Sequence, residues 1–160
     1  MAKIFLSTDI NAPVQRCFDI ARNIDIHLVS TAHTGETAIA GRTSGLIELG
    51  ETVTWRAKHF GIWQTLTSKI TAFQPPVFNV DGTTTAAFFE DRMVSGAFKG
   101  FSHGHHFSPQ GNKTTMLDVF VFESPLGILG KFANWLFLKR YMTDLLERRN
   151  TVIKKVAESE

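Results

Sequence analysis

Hydrophobic and polar residues alternate, or recur at helical spacing, over well-defined stretches of the chain. Residues 3–10 alternate with a period of two, which predicts a strand with one buried face. The inward positions of this strand are Ile4, Leu6, Thr8 and Ile10. Apolar residues then recur every three or four positions behind the N-capping residue Asn11, which predicts a helix over Pro13–Asn23. A second short helix is predicted around Asp25–Ser30.

The next stretch, TAHTGETAIAGRTSG at residues 31–45, is polar and rich in glycine, which predicts a mobile surface segment. From residue 44 to residue 122 the period of two returns, and turn residues interrupt it. The pair Asp81 and Gly82 is typical of a tight hairpin, although the pairing of Asn79–Phe88 stays open. The predicted strands are 52–58, 62–71, Phe88–Phe98, Phe101–Ser108 and Thr114–Phe122.

Helical spacing begins again after Ser124, a capping residue, and persists to about Val156. One strand, two short helices, a run of strands and a long closing helix make an α+β order. About seven strands at ~4.8 Å span about 34 Å, whereas a helix is only ~10–12 Å wide. The sheet is therefore expected to curve around the helix, and a cavity is expected where the curvature does not close completely.

Composition and charge narrow the class of protein. The chain has 160 residues, of which 43% are apolar and 20% charged, and its net charge is +2, so we expect one domain over residues 1–160 and no nucleic-acid partner. Cys17 is the only cysteine, which excludes an intramolecular disulfide. The apolar run Leu126–Leu138 contains Lys131 and Asn134, which favours a core helix over a membrane span. With no signal-peptide pattern at the start, a cytoplasmic location is expected.

The aromatic content is unusual, with 14 Phe and 3 Trp against a single Tyr. Aromatic rings without a polar end favour either a densely packed core or a cavity lined for an apolar guest. Composition leaves these two alternatives open.

The most distinctive motif is FSHGHHF, at residues 101–107. Because side chains alternate along a strand, the four residues Phe101, His103, His105 and Phe107 share one face, and the aromatic residues mark it as the inner face. His106 is then expected to face solvent. The motif is therefore interpreted as two cavity-facing histidines and one outward histidine.

Asp118 is the predicted partner of this pair. With Gln110 and Gly111 as turn residues, His103 lies opposite Asp118, and any even slip of the register keeps Asp118 on the inner face. A carboxylate beside an imidazole fits a catalytic general base, and it fits a self-satisfied buried polar pair equally. His-X-His with Asp118 also has the donors of a zinc site, but such spacing is common by chance, and no metal or cofactor is expected.

Four stretches resemble the SRPBCC superfamily, which includes START-type lipid-binding domains, Bet v 1-like proteins and polyketide cyclases. The stretches are INAPVQRCFDIARNID, GLIELGETVTWRAKHFGIWQTLTSKITAF, FKGFSHGHHF and ESPLGILGKFANWLFLKRYMTDLLERRNTVIK. This resemblance, which is closest to bacterial members, covers essentially the whole chain. It implies a helix-grip fold, in which a seven-stranded curved antiparallel sheet wraps around a long C-terminal helix and two short helices follow the first strand. It also implies a gate at TGETAIAG, where Gly35 and Gly41 permit movement.

The superfamily includes both carriers and enzymes, so function rests on the site. We expect a protein that binds a hydrophobic small molecule, such as a lipid, a fatty-acid-like chain or a polyketide, between sheet and helix. The expected lining is Trp55, Gln64, Leu66, Phe101, His103, His105, Asp118, Phe120, Phe132 and Leu136. The first alternative is a cyclase or dehydratase with His103 and Asp118 as catalytic residues. The second is a protein-interaction module that uses the exposed aromatic residues Phe5 and Trp63.

Overall fold

The structure is a computed structural model that describes residues 1–124 and 133–159. Within these residues, seven strands and three α-helices follow one another in the predicted α+β order. They are β1 (Ala2–Ile10), α1 (Val14–Ala21), α2 (Ile24–Ser30), β2 (Thr37–Gly41), β3 (Thr52–His59), β4 (Ile62–Gln74), β5 (Ala87–Ser95), β6 (Gly100–Gln110), β7 (Lys113–Glu123) and α3 (Ala133–Glu158). A short 3-10 helix, Ala32–Thr34, lies between α2 and β2. The first eight residues of the helix predicted after Ser124, 125–132, lie outside the described residues.

All seven strands belong to one antiparallel sheet, in the order β1-β7-β6-β5-β4-β3-β2. Successive strands from β2 to β7 are direct neighbours, and β1 pairs with β7 along its whole length. The sheet curves around α3, which packs against β1, α1 and α2. The predicted helix-grip architecture is therefore confirmed.

The prediction that residues 31–45 form a mobile surface segment is wrong for Thr37–Gly41, because these residues form the edge strand β2. Its hydrophobic alternation is weak because the strand consists mainly of small residues, and most of its length is exposed to solvent. Pairing with the free edge of β3, at Thr37 with Arg56 and at Gly41 with Val53, supplies the backbone partners that decide its conformation.

The predicted tight turn after β4 is confirmed. Gly82 adopts a φ of 82°, and the Asn79 N–H donates to the Thr83 carbonyl at 2.9 Å. A single bridge between Phe78 and Thr84 closes this small hairpin before β5 begins.

Helix α1 closes one end of the curved sheet with the apolar face that its spacing predicted. Its N-cap is Pro13 rather than the predicted Asn11, so the helix starts one residue later than expected. Phe18 is fully buried and makes edge-to-face contacts with Phe73, Phe89 and Phe107 at 5.3–5.7 Å between ring centroids. A second apolar cluster joins β1 and β7 to Leu146 of α3.

Candidate functional site: a cavity with a buried polar cluster

A cavity of about 720 Å³ lies between the inner face of the sheet and α3. Both apolar clusters contribute to its wall, with Trp55 and Phe89 from one and Phe120 and Leu146 from the other. The phenylalanines divide between the two roles that composition left open. Phe18, Phe107 and Phe122 are core residues, whereas the cavity wall holds Phe60, Phe89, Phe98, Phe101, Phe120 and Phe137.

Strand β6 presents its histidines as the alternation predicted. His103 and His105 are buried and line the cavity, whereas His106 is exposed on the opposite face and its ring packs against that of Phe88. The imidazole rings of His103 and His105 lie with their centroids 3.8 Å apart. Phe89 also stacks on His105, with their ring centroids 4.2 Å apart, which restricts the position of that imidazole.

The predicted register between β6 and β7 is wrong by two residues. Gln110 pairs with Lys113, so His105 lies opposite Asp118 and His103 lies opposite Phe120. The slip is even, and Asp118 accordingly stays on the inner face. His103 still reaches Asp118 because diagonal neighbours on one sheet face are within reach of long side chains, and its Nε2 is 2.9 Å from Oδ1.

Asp118 is 1% exposed and contacts polar groups from two elements, β6 and α3. Asn150 of α3 donates from Nδ2 to Asp118 Oδ2 at 2.7 Å, and Arg149 donates from its guanidinium to Oδ1 at 3.4 Å. The same guanidinium donates to the Ala21 carbonyl at 3.0 Å, which ties it to the end of α1. His105 Nδ1 lies 2.8 Å from Asp118 Oδ1, although not in the direction of a hydrogen bond.

These contacts determine the ionisation states of Asp118 and His103. Burial opposes the charge of Asp118, but interactions with His103 and His105 hold the pKa of its carboxyl well below the ordinary value. Burial, reinforced by the charge of His105, lowers the pKa of His103 to about 4 despite the opposing effect of Asp118. At neutral pH His103 is therefore a neutral imidazole that donates from Nε2 to a carboxylate and keeps its lone pair on Nδ1.

Asp91 is a member of this cluster that the sequence analysis did not identify. Its carboxylate lies on β5, faces the cavity, and has Oδ1 3.4 Å from His105 Nε2. Burial opposes its ionisation, but the hydrogen bond with His105 and nearby positive charges leave the pKa of Asp91 below its ordinary value. The signal that identifies it is the period of two, because Ala87 and Phe89 of β5 are buried and Asp91 continues the same face.

A second group of polar side chains lines another part of the cavity. His59 Nδ1 and the Tyr141 hydroxyl are 2.7 Å apart, and Phe60 packs beside Tyr141. Burial lowers the pKa of His59 and raises that of Tyr141. His27 pairs with Glu36 at 2.6 Å and stacks on Trp55. These groups give an otherwise apolar wall a few hydrogen-bonding positions.

Most of the predicted lining residues are where they were expected. The cavity wall includes Trp55, Gln64, Leu66, Phe101, His103, His105 and Phe120. Asp118 lies behind the two histidines, Leu136 is 64% exposed, and Phe132 is outside the described residues. The position of Leu136 follows from the phase of α3, since the helix turns other residues toward the cavity. These are Phe137, Leu138, Tyr141, Met142, Leu145, Leu146 and Arg149.

Known proteins resemble this chain in structure rather than in sequence. No protein-family model matches the sequence, and no curated protein matches it. TTHA0849 from Thermus thermophilus is 15% identical with a TM-score of 0.68, and the match covers 99% of this chain and 100% of that one. Ginseng major latex-like protein 151 from Panax ginseng is 16% identical with a TM-score of 0.63, covering 99% and 98%. Zhui aromatase/cyclase from Streptomyces sp. R1128 is 9% identical with a TM-score of 0.69, covering 98% and 93%.

The chain therefore shares its helix-grip fold with these proteins, as the resemblance implied. The matches cover nearly the whole length of both chains, so the likeness extends over the entire fold. Among the described helices, none combines the length and apolar character that crossing a membrane requires.

Proposed function

We propose that this protein binds a hydrophobic small molecule, either a lipid, a fatty-acid-like chain or a polyketide-like compound, in the cytoplasm. The observation that carries the proposal is the cavity of about 720 Å³ between sheet and helix. A volume of this size is in the range of small-molecule sites. Its wall is mainly apolar, with polar groups grouped at a few positions, which is the distribution that holds an apolar body and orients one polar end.

The polar groups also specify how a guest is oriented. His103, His105 and Asp91 form one polar position, and His59 with Tyr141 forms another. Trp55 and Leu66 belong to the apolar surface that contacts a hydrocarbon or aromatic body. We therefore expect guests with one or two polar ends to bind more tightly than a plain hydrocarbon.

The binding test uses a fatty acid that carries a fluorescent anthroyloxy group. Ala57 is buried on the cavity wall, so Ala57→Phe places a ring where the guest lies. Ala40→Phe adds the same ring on the exposed surface of β2 and serves as the matched control. We expect saturable 1:1 binding by the natural protein and the control, and at least tenfold weaker binding by Ala57→Phe.

Equal binding by the two variants contradicts the proposal, because the probe then binds outside the cavity. Native mass spectrometry of protein purified from its own host identifies the natural guest. A co-purifying mass with an apolar composition supports the proposal, and Ala57→Phe is expected to lack it.

A second candidate function is catalysis of cyclisation and dehydration on a polyketide-like substrate. The contact that favours it is the 2.9 Å hydrogen bond between His103 Nε2 and Asp118 on the cavity wall. In such a reaction neutral His103 takes a proton from carbon beside a carbonyl, and the carbanion attacks a second carbonyl of the same molecule. The new alkoxide takes the proton back from the imidazolium. His103 then removes a second proton from the carbon beside the carbonyl, the hydroxyl group leaves with a proton as water, and a C=C bond forms.

The low pKa of His103 makes it a weak base, which is why binding is the leading proposal. The enzymatic test compares the natural protein with His103→Ala and Asp118→Asn on a poly-β-ketone substrate. Catalysis by His103 requires a loss of at least a hundredfold in kcat in both variants. Turnover that survives both substitutions unchanged refutes the assignment.

A further inference from the structure

Three side chains of the metal-ligating type converge on one part of the cavity wall. A carboxylate oxygen of Asp91 and one imidazole nitrogen each of His103 and His105 all lie within 4.8 Å of one another. All three side chains are among the residues that line the cavity. We propose that Asp91, His103 and His105 bind a divalent transition-metal ion of the zinc class.

The spacing of the donors fits such an ion. Zinc binds imidazole nitrogen and carboxylate oxygen at ~2.0–2.2 Å, so neighbouring ligand atoms in a tetrahedral site are about 3.4 Å apart. His105 Nε2 and Asp91 Oδ1 are 3.4 Å apart, and they lie on the adjacent strands β6 and β5. Two of the three ligands therefore have the required separation before an ion enters.

Asp118 occupies the position of a supporting carboxylate. Metal-ligating histidines commonly donate their second N–H to a carboxylate, which fixes the tautomer and the ring orientation. Asp118 Oδ1 lies 2.9 Å from His103 Nε2 and 2.8 Å from His105 Nδ1. With the protons on the two nitrogens that lie nearest Asp118, His103 Nδ1 and His105 Nε2 carry the lone pairs that bind the ion.

The contacts of His105 agree with this arrangement. Its side chain is 3% exposed, and its Nδ1 makes no hydrogen bond within the described part of the chain despite its closeness to Asp118. Coordination through Nε2 fixes the proton on Nδ1, and this atom then becomes a donor beside the carboxylate. The nitrogen that faces Asp118 is then the protonated one, and Nε2 is left to bind the ion.

The charges of the cluster favour a cation. Among the residues that the structure describes, Asp91 and Asp118 face a single guanidinium, that of Arg149, so one carboxylate charge lacks a permanent counter-ion. A divalent ion reverses the net charge to positive. A bound anionic group, such as a carboxylate or an enolate, then restores neutrality.

Three protein ligands leave at least one coordination position, and the cavity adjoins it. We expect that position to take the polar end of the guest. The inference uses the cavity of the proposed function but does not require a lipid guest, because the ion and the guest are measured separately. The sequence analysis considered Asp118 as a third ligand and expected no metal, whereas the geometry assigns the third position to Asp91.

The test is a titration of the chelator-treated full chain with Co²⁺, which reports coordination through its visible absorption. We expect one ion per chain with the intense bands of a four- or five-coordinate site, and displacement of Co²⁺ by Zn²⁺. Asp91→Asn and His105→Gln are each expected to weaken binding by at least tenfold. The matched control is His106→Gln, which removes a histidine from the solvent face of the same strand and is expected to bind like the natural chain.

Two results overturn the proposal. One is a natural chain that leaves Co²⁺ with the weak spectrum of the hexa-aqua ion, a result that does not depend on how any variant folds. The other is an equal loss of affinity in His106→Gln and His105→Gln, which places the ion on the surface. Fatty-acid binding by the metal-free protein tests the cavity separately, so either proposal can fail without the other.

Discussion

At the residue scale, Asp118 connects the sheet to the C-terminal helix. It accepts a hydrogen bond from Asn150 of α3 and lies 3.4 Å from the guanidinium of Arg149, while His103 contacts it from β6. The side chains of Asp118 and Arg149 are 1% and 8% exposed. A buried cation that loses the carboxylate it contacts is costly, since the desolvation penalty remains and most of the attraction is gone.

Replacing Asp118 with Asn is therefore expected to lower the free energy of unfolding by about 3–5 kcal/mol. The control is Asp144→Asn, an exposed carboxylate of α3, which is expected to change stability by less than about 0.5 kcal/mol. Urea denaturation of the metal-free proteins, followed by circular dichroism, measures both. A cost below about 1 kcal/mol for Asp118→Asn contradicts a structural role for the ion pair.

His59 is expected to make stability depend on pH. Burial lowers its pKa in the folded state, where Tyr141 contacts it and Glu36 and His33 are the other titratable neighbours. Below the ordinary value of 6.5 the unfolded chain therefore binds a proton that the folded chain does not. The free energy of unfolding then decreases as pH falls through this value.

The variant His59→Gln keeps a hydrogen-bonding partner for Tyr141 and cannot titrate. Its stability is expected to fall less steeply than that of the natural protein between about pH 7.5 and pH 5, and the difference isolates His59 from the other histidines. Urea melts at several pH values provide the measurement. Parallel curves for the two proteins are incompatible with this assignment.

Residues of the site differ in how far sequence alone identifies them. The alternation of FSHGHHF separates His103 and His105 from His106, because strand geometry decides the face. Arg149 and Asn150 are different, since their neighbours in sequence belong to a charged helix and only their contact with Asp118 explains their burial.

At the element scale, β2 depends on its contact with β3. Its closest approach is at Gly41, where φ is 73° and an added Cβ atom lies 2.1 Å from the Thr52 carbonyl oxygen. Gly45 has nearly the same φ, 72°, and open space around the added atom. The two glycines therefore separate the cost of a left-handed backbone from the cost of a steric clash.

We expect Gly45→Ala to destabilise the protein by ~1–2 kcal/mol, the cost of placing a side chain in the left-handed region. Gly41→Ala is expected to cost more, because Thr52 must move and the pairing of β2 with β3 loosens. Thermal denaturation gives the total effect, and amide hydrogen exchange in Thr37–Gly41 reports the local opening. The explanation fails if the two variants lose equal stability and β2 exchanges no faster in Gly41→Ala.

At the scale of the whole molecule, the cavity exists because the described helices cover the wide, curved sheet only in part. Helix α1 fills one end of the curved sheet with Phe18, and the remaining space is the cavity beside α3. Phe5 and Trp63, the exposed aromatic residues of the interaction alternative, lie on β1 and β4, which three other strands separate. They do not form one continuous patch, so no observation favours that alternative.

Occupation of the cavity is expected to stabilise the whole fold. At a free fatty-acid concentration of about a hundred times Kd, mass action adds ~2.7 kcal/mol. For a chain of this size that corresponds to a rise in Tm of about 5–10 °C. Differential scanning calorimetry checks it, with Ala57→Phe expected to show little change and Ala40→Phe the full rise. An unchanged Tm in the natural protein argues against binding to the folded state.

The sequence by itself determined the order of elements, the face of each long strand and the helix-grip class, because hydrophobic periodicity reports local geometry and which side is buried. It did not determine β2, whose conformation comes from pairing with a distant strand, nor the register of β6 against β7, which the turn decides. Only the tertiary structure placed Asp91 beside His105 and Arg149 beside Asp118. Contacts between residues far apart in sequence leave little local pattern, and those contacts are what define the site.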